Sequence, residues 1–260
     1  MSIIAKAPRN TTPAGRFYDT PAGKFPSVTT ILSVIGKPAL IAWAANEERK
    51  AVVNAAATLY CNAPVEPKMS REAYEASLVT FLGKEKAHTK LLEKAGSIGT
   101  AVHALIEWNL RKRLGQTVGP QPALPLEATS CFAAYEHWEV SAELKPVAIE
   151  QVVWSASRGY AGTMDVLGEV THEGKRVMVV LDWKTSARVY KEAHMQVSAY
   201  CAALLEMGHA SQPLHGLIVR LPKTTRDPEP EFQLVHADEQ PGHMEAFMAA
   251  LRLWQWQQEA

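Results

Sequence analysis

The segment 159–206 constrains the fold more than any other part of the chain. It reads GYAGTMDVLGEV, then VMVVLDWKTS, then MQVSAYCAALLE, a pattern that predicts two strands followed by a helix. Asp182 and Lys184 lie at the end of the second strand, and side chains two apart on a strand project from one face, here away from Trp183. Asp165 on the first strand reaches the same face if the two strands pair. The pattern therefore places two carboxylates and an ammonium group at one end of a sheet.

These residue types suit the attack of a bound divalent cation's water on a phosphate. Mg²⁺ takes oxygen ligands, commonly one or two carboxylates together with water and phosphate oxygens. The ion lowers the pKa of its water and offsets charge in the transition state, and a neighbouring lysine orients that water and stabilises the developing negative charge. An isolated Asp-x-Lys more often forms a surface ion pair on an edge strand, so the interpretation depends on further motifs.

Two helices carry the further motifs. Apolar residues at helical spacing predict a helix over about residues 98–114, with His103 beside the buried stripe and Glu107 one turn later on the same face. A histidine in this position is more often an ordinary, partly buried residue than a metal ligand. On a helix predicted over about 191–208, Gln196 and Tyr200 are also one turn apart, which an ordinary polar and aromatic helix face explains as well.

In this order, Gly-x-x-x-His, Gly-x-x-Asp, Asp-x-Lys and Gln-x-x-x-Tyr resemble the RecB-like exonuclease branch of the PD-(D/E)XK nuclease superfamily. The matching residues are Gly99, His103, Gly162, Asp165, Asp182, Lys184, Gln196 and Tyr200. The phrases GYAGTMD and LDWKTS, together with PSVTTIL near the N-terminus, are similar to phage-encoded and mitochondrial genome maintenance exonucleases. The resemblance implies an α/β fold: a restriction-endonuclease-like core with a mixed central sheet flanked by helices and a helical N-terminal insertion.

The resemblance also implies a role for each matching residue. His103, Asp165 and Asp182 are expected to bind Mg²⁺ or Mn²⁺, as two ions, and Asp165, Asp182 and Lys184 are expected to be catalytic. Glu150, in the run PVAIEQVVW, occupies a place where many relatives carry a supporting acid, and both a site role and a surface role are open. The expected supporting or DNA-binding residues are Glu150, Gln196, Tyr200, Glu107 and Arg188.

Composition excludes several other classes of protein. With 260 residues and 47% hydrophobic content the chain can bury a full core. It contains no apolar run of about 18 residues for a membrane span and no secretory h-region, so we expect a location in the cytoplasm of a bacterial or phage-infected cell. Three widely spaced cysteines, Cys61, Cys131 and Cys201, provide neither a disulfide framework nor the ligands of an iron–sulfur cluster.

The net charge of zero weighs mildly against broad, nonspecific DNA affinity. An enzyme that threads single-stranded DNA, however, needs a basic channel rather than a basic surface. We expect residues 1–95 to form an N-terminal segment and a helical region that covers the active site, and residues 96–260 to form the nuclease core with a C-terminal helix, in one compact unit. Within these, residues 1–36 are expected to be irregular or strand-like, and separate helices are expected over about 38–60, 71–83 and 84–95.

The core is predicted as an antiparallel meander of strands at about 146–155, 160–170 and 177–185, then a helix at 191–208, strands at 215–222 and 231–236, and a helix at 241–258. The favoured function is hydrolysis of DNA from single-stranded ends in replication, recombination or repair. The alternatives are an endonuclease of the same superfamily and a non-catalytic DNA-binding protein with this fold. A recombination or replication protein is a possible partner that the sequence does not identify.

Overall fold

The computed structural model describes residues 9–62, 69–223 and 229–259. They form two compact units, one of residues 36–97 and a larger one of residues 9–35 and 98–259. The predicted boundary lies between residues 95 and 96, whereas the structure groups the N-terminal strands with the larger unit. Residues 1–8 and 63–68 of the predicted N-terminal region lie outside the described residues. None of the described helices has both the length and the apolar character needed to cross a bilayer.

The larger unit begins with a small antiparallel sheet and one turn of helix. Strands β1 (Arg9–Thr12), β2 (Gly15–Thr20) and β3 (Gly23–Pro26) pair in sequence order, and helix α1 spans Val28–Leu32. Ser27 caps α1 by accepting a hydrogen bond from the Thr30 backbone N–H. The strand-like character of this segment is confirmed, but α1 was not predicted, because a single helical turn is too short for its apolar spacing to show.

The smaller unit is entirely helical. Helix α2 spans Pro38–Asn62, α3 spans Arg71–Leu82, and α4 (Ala87–Arg113) begins here and continues into the larger unit from residue 98. The helix predicted over about 71–83 is confirmed as α3: the Ser70 side chain accepts from the Ala73 N–H at its start, and Gly83 ends it at φ +70°. The break predicted between the helices over about 84–95 and 98–114 is wrong, because both segments belong to one continuous helix.

The larger unit is built on a five-stranded mixed sheet, as the sequence predicts. After helix α5 (Thr129–Ala142), strands β4 (Lys145–Ser155), β5 (Tyr160–His172) and β6 (Lys175–Lys184) form the antiparallel meander. Helix α6 (Lys191–Glu206) then crosses to β7 (His215–Arg220), which pairs in parallel with β6. Strand β8 (Glu231–Val235) completes the order β4-β5-β6-β7-β8, and α7 (Gln240–Gln258) follows it.

The two faces of this sheet bury different helices. On one face α4 and α5 cover β6, where Trp183 packs edge-on against Tyr135 and Trp138 with ring centroids 5.3 and 5.2 Å apart. The other face buries α6 and α7 together with α1. Because side chains alternate along a strand, the burial of Trp183 under α5 directs Asp182 and Lys184 toward α6. The fold thus positions the predicted acid and lysine under a helix rather than in open solvent.

Candidate metal and catalytic site

The site lies where β5 and β6 stop pairing. Their last paired residues are Val166 and Leu181; beyond this point β5 continues beside β4, and β6 continues beside β7. The backbone N–H of Trp183 donates instead to Asp165 Oδ2, at 2.7 Å. A carboxylate thereby replaces the strand carbonyl that would otherwise accept this hydrogen bond. Because β5 and β6 stop pairing here, Asp165 lies beside Asp182, and the Trp183 N–H still has a hydrogen-bond acceptor.

Asp182, Lys184, Gln196 and Tyr200 form one hydrogen-bonded network between β6 and α6. The Lys184 ammonium is 2.6 Å from Asp182 Oδ2 and donates to Gln196 Oε1 at 2.9 Å. The Gln196 amide donates to Asp182 Oδ1 at 2.8 Å and to the Tyr200 hydroxyl at 3.1 Å. Gln196 therefore ties the acid and the lysine together, and the one-turn spacing of Gln196 and Tyr200 brings both into the same network.

The glycines of the sequence motifs are close-packing positions. A Cβ atom added at Gly162 would lie 2.5 Å from Tyr200 Cε1, so the tyrosine ring rests directly on the β5 backbone. A Cβ at Gly99 would lie 3.1 Å from Thr185 Oγ1, where α4 approaches the chain just after Lys184. Both glycines let a neighbouring element come close to the residues of the site.

A second group of residues is arranged as a metal site. Ligand atoms of His103, Glu150 and Asp165 all lie within 4.8 Å of one another, and His103 Nδ1 is 3.5 Å from Asp165 Oδ2. The structure thus brings Glu150, which the sequence left open between site and surface, into the cluster. Asp182, predicted as the third metal ligand, is not one of these three residues but belongs to the adjoining network with Lys184.

The donor set fits a divalent cation. One imidazole nitrogen and two carboxylates are ligands that Mn²⁺ accepts, and the carboxylates suit Mg²⁺. In addition, Asp182 Oδ2 is buried, and it is in contact with the Lys184 ammonium at 2.6 Å. His103, Glu150 and Asp165 would hold a cation, and Asp182, paired with Lys184, lies beside them on the adjoining strand.

The concentration of charged groups in the cluster shifts the pKa values of Glu150 and His103. Burial, and then the charges of Asp165 and Glu107, raise the pKa of Glu150 to about 7. Burial acts to lower the pKa of His103, but the carboxylates of Asp165 and Asp182 outweigh it and raise that pKa to about 9. In the absence of a cation, therefore, protons on these two groups partly neutralise the concentrated negative charge.

The pKa values of Asp165 and Asp182 shift in opposite directions. Burial acts against ionisation of Asp165, but the charge and hydrogen bond of His103, with Lys184, hold its pKa below the usual value. Burial raises the pKa of Asp182, opposed by Lys184 and assisted by Asp165. Asp165 therefore ionises more readily than Asp182, since it also accepts the Trp183 N–H and lies against the imidazole.

Two other predicted residues have different surroundings. Glu107 forms an ion pair with Arg111 at 2.7 Å and is near enough to Glu150 to raise its pKa. Arg188 lies in the exposed loop after β6, where its guanidinium is 4.9 Å from the centre of the Tyr190 ring. Among the described residues, Arg188 is in contact with its own loop rather than with the metal cluster.

One further contact was not predicted from the sequence. The Tyr18 hydroxyl is 2.9 Å from Thr163 Oγ1, so the N-terminal sheet is fastened to β5 between Gly162 and Asp165. Tyr18 is buried, but no periodicity in the sequence indicates the strand on which it packs.

Comparison with known proteins agrees with this geometry. The model of the PD-(D/E)XK nuclease superfamily matches residues 72–258, a range that includes the cluster, the network and the five-stranded sheet. A search of curated protein sequences finds no significant match. The matched range covers most of the chain, and it contains the acids, the lysine and the mixed sheet described above. The chain therefore belongs to the PD-(D/E)XK nuclease superfamily.

Proposed function

We propose that this protein is a divalent-metal-dependent DNA exonuclease of the RecB-like branch that prefers single-stranded ends. The observation that carries the proposal is the position of Lys184 and Asp182, hydrogen-bonded through Gln196, next to the cluster of His103, Glu150 and Asp165. The role that suits this activity is DNA replication, recombination or repair in the cytoplasm of a bacterial or phage-infected cell. A protein partner in that role stays unidentified.

Each group has a separable task in the proposed reaction. A bound Mg²⁺ or Mn²⁺, with two ions expected, supplies an activated water and neutralises phosphate charge. Asp165 and Asp182 contribute carboxylate oxygens, while the Lys184 ammonium orients the attacking water and stabilises negative charge on the phosphate. Gln196 holds Lys184 and Asp182 in position through its hydrogen bonds, and Tyr200, one turn later on α6, accepts a hydrogen bond from Gln196.

The preference for unpaired DNA is supported by the surface of the helical unit, residues 36–97. Tyr60 and Phe81 are exposed aromatic residues there, and Arg49, Lys84 and Lys86 are exposed basic residues. Rings of this kind stack on unpaired bases, and basic groups follow the phosphates. That the helical region covers the active site and admits a strand by its end stays a prediction.

A cleavage assay tests the proposed function. The purified protein is incubated with end-labelled linear single-stranded DNA, linear duplex and circular single-stranded DNA, with Mg²⁺ or Mn²⁺ and with excess EDTA. We expect rapid degradation of the linear single strand, slow attack on the blunt duplex, survival of the circle and no activity in EDTA. The Asp182→Asn variant is the matched control for contaminating nucleases.

The assay also distinguishes the alternatives. Rapid cleavage of the circle would identify an endonuclease of the same superfamily, with the metal site unchanged. DNA binding without cleavage under every metal condition would identify a non-catalytic DNA-binding protein. Cleavage that is lost in Asp182→Asn, and therefore belongs to this protein, but persists in EDTA would refute the metal-dependent mechanism.

A further inference from the structure

Glu150 has an unusual backbone for a residue inside a strand. Its φ is +50°, in the left-handed region that residues other than glycine seldom adopt. The pairs on either side of it, Ile149 with Val166 and Gln151 with Met164, are nevertheless kept. The strand is therefore intact around one strained residue, and that residue carries a carboxylate of the metal cluster.

The strain changes the direction of the side chains along β4. Ile149 and Val153 are four residues apart, so a regular strand would place them on the same face. In the structure, Ile149 belongs to the core under α4 and α5, and Val153 belongs to the core under α6 and α7. The alternation therefore reverses across Glu150, and the position of its carboxylate depends on where this reversal is held.

Arg111 on α4 binds the peptide between Ile149 and Glu150, where the alternation of side chains along β4 reverses. Its Nη2 donates to the carbonyl oxygen of Ile149 at 3.1 Å, and that carbonyl belongs to the same peptide plane as the Glu150 N–H. The other guanidinium nitrogens are also engaged: Nε donates to Glu107 at 2.7 Å and Nη1 to Gln116 at 3.0 Å. A guanidinium bound at three points fixes the orientation of that peptide, and with it φ of Glu150.

We propose that Arg111 is a positioning residue of the metal centre, which keeps the Ile149–Glu150 peptide oriented so that the Glu150 carboxylate faces His103 and Asp165. This inference rests on the proposed function insofar as the cluster must bind a cation. Arg111 acts through Glu150, because three of its five N–H groups already have protein acceptors and one of these is the carbonyl of the peptide that precedes Glu150.

Arg113, two residues later on the same helix, provides a matched control. Its Nη2 donates to the Leu144 carbonyl at 3.2 Å, and its Nη1 contacts the Glu139 carboxylate. It therefore also connects α4 to a carboxylate and to a backbone carbonyl near β4, but at the end of the strand remote from Glu150. A loss of general packing should appear equally in variants of Arg113 and of Arg111.

The test measures Mn²⁺ binding by calorimetry in the wild type, Arg111→Lys and Arg113→Lys. Lysine keeps the positive charge but cannot make the forked contacts of a guanidinium. We expect Arg111→Lys to weaken Mn²⁺ binding by about 10-fold or more, the range found when partners of metal ligands are replaced, and Arg113→Lys to leave it within about 2-fold. Thermal unfolding of the metal-free proteins shows whether both variants are folded.

A double-mutant cycle decides whether the effect passes through Glu150. In the Glu150→Gln background, Arg111→Lys should cause little further loss of Mn²⁺ affinity, because the carboxylate that it orients is gone. Unchanged affinity in Arg111→Lys, or the same fold-loss with and without Glu150, would overturn the inference. A wild type that binds no Mn²⁺ would overturn it as well. A wild type that binds Mn²⁺ but cleaves no DNA would refute the proposed function and leave the inference standing.

Discussion

At the scale of single residues, the site separates two tasks that the sequence assigned to one pair of aspartates. Asp165 accepts the Trp183 N–H and contacts His103, so it belongs to the metal cluster. Asp182 contacts Lys184 and Gln196, so it joins the cluster to the lysine that we propose orients the attacking water. Substitutions in the two groups should consequently have different effects on metal binding and on turnover.

Lys184→Met should separate catalysis from metal binding. Lys184 contributes no ligand atom, so the variant should bind Mn²⁺ within a few-fold of the wild type, while turnover falls by about 10²–10³-fold, as for other lost transition-state donors. Single-turnover cleavage and calorimetry on the same preparation measure both quantities. Asp165→Asn is the contrasting variant, in which metal binding and turnover should be lost together. If Lys184→Met also loses the metal, the lysine has a structural role instead.

The affinity for Mn²⁺ should rise with pH, because the cation binds the deprotonated cluster. Glu150, with a pKa of about 7, and His103, with a pKa of about 9, are protonated at pH 6 and must release their protons. The slope of log affinity against pH should therefore be about two below pH 7 and about one between pH 7 and 9. Calorimetry in buffers of different ionisation enthalpy counts the protons released.

The control for this pH dependence is Glu150→Gln, in which the steeper segment below pH 7 should disappear. In the metal-free protein, both groups make the free energy of unfolding fall as pH rises. The raised pKa of His103 contributes stability that is complete below about pH 6.5 and is lost as pH rises through 9. The raised pKa of Glu150 also makes stability fall between about pH 4.5 and 7, because in this range the unfolded chain has released the proton and the folded protein still holds it. An affinity independent of pH would contradict the assignment of these ligands.

At the scale of elements, apolar runs and turn residues were sufficient to predict the order of strands and helices in the core. They failed at α4, because the break predicted between about residues 95 and 98 does not occur: Gly96 has a low helix propensity but lies inside one continuous helix. They also could not show that β5 and β6 separate at Asp165, since burial periodicity is the same for paired and unpaired residues. For the same reason nothing in the run PVAIEQVVW indicates the left-handed φ of Glu150.

Gly162→Ala should disturb the site through α6. The added methyl group would lie 2.5 Å from the Tyr200 ring, which is buried and cannot move aside freely. Overpacking of this kind costs about 1–3 kcal/mol in the free energy of unfolding. Because Tyr200 contacts Gln196, turnover should fall as well. Denaturant unfolding and cleavage rates measure the two effects.

Gly96→Ala on α4 is the matched control for this substitution. Among the described residues, no atom other than those of the neighbouring helix backbone lies within 4 Å of a Cβ built at Gly96, which is inside a helix. Alanine there should stabilise the protein by about 0.5–1 kcal/mol, the ordinary helix-propensity difference. Wild-type stability and turnover in Gly162→Ala would show that the contact between Gly162 and Tyr200 is not needed for the site.

At the scale of the whole molecule, the net charge is zero, so binding of DNA depends on local surfaces and not on the overall charge. With 27 basic and 27 acidic residues, the chain as a whole provides no general attraction for DNA. The site itself is rich in carboxylates, so contacts elsewhere on the protein must contribute to substrate binding. The helical unit has few buried residues, Ala55 being the buried residue of α2, and exposes apolar and aromatic side chains instead.

Tyr60 and Phe81 should contribute to single-strand binding if the helical unit receives unpaired bases. Both rings are largely exposed, at 80% and 56%, so their removal should cost little stability. Each Ala substitution should weaken binding of a single-stranded oligonucleotide by about 1–3 kcal/mol, measured by fluorescence anisotropy in Ca²⁺ to avoid cleavage. Duplex binding should change less, because paired bases offer no free face.

The control is Trp256→Ala, since Trp256 is a similarly exposed aromatic residue on α7 of the larger unit. This substitution should leave both affinities unchanged. Equal losses in all three variants, or none in Tyr60→Ala and Phe81→Ala, would show that the unpaired strand is bound elsewhere.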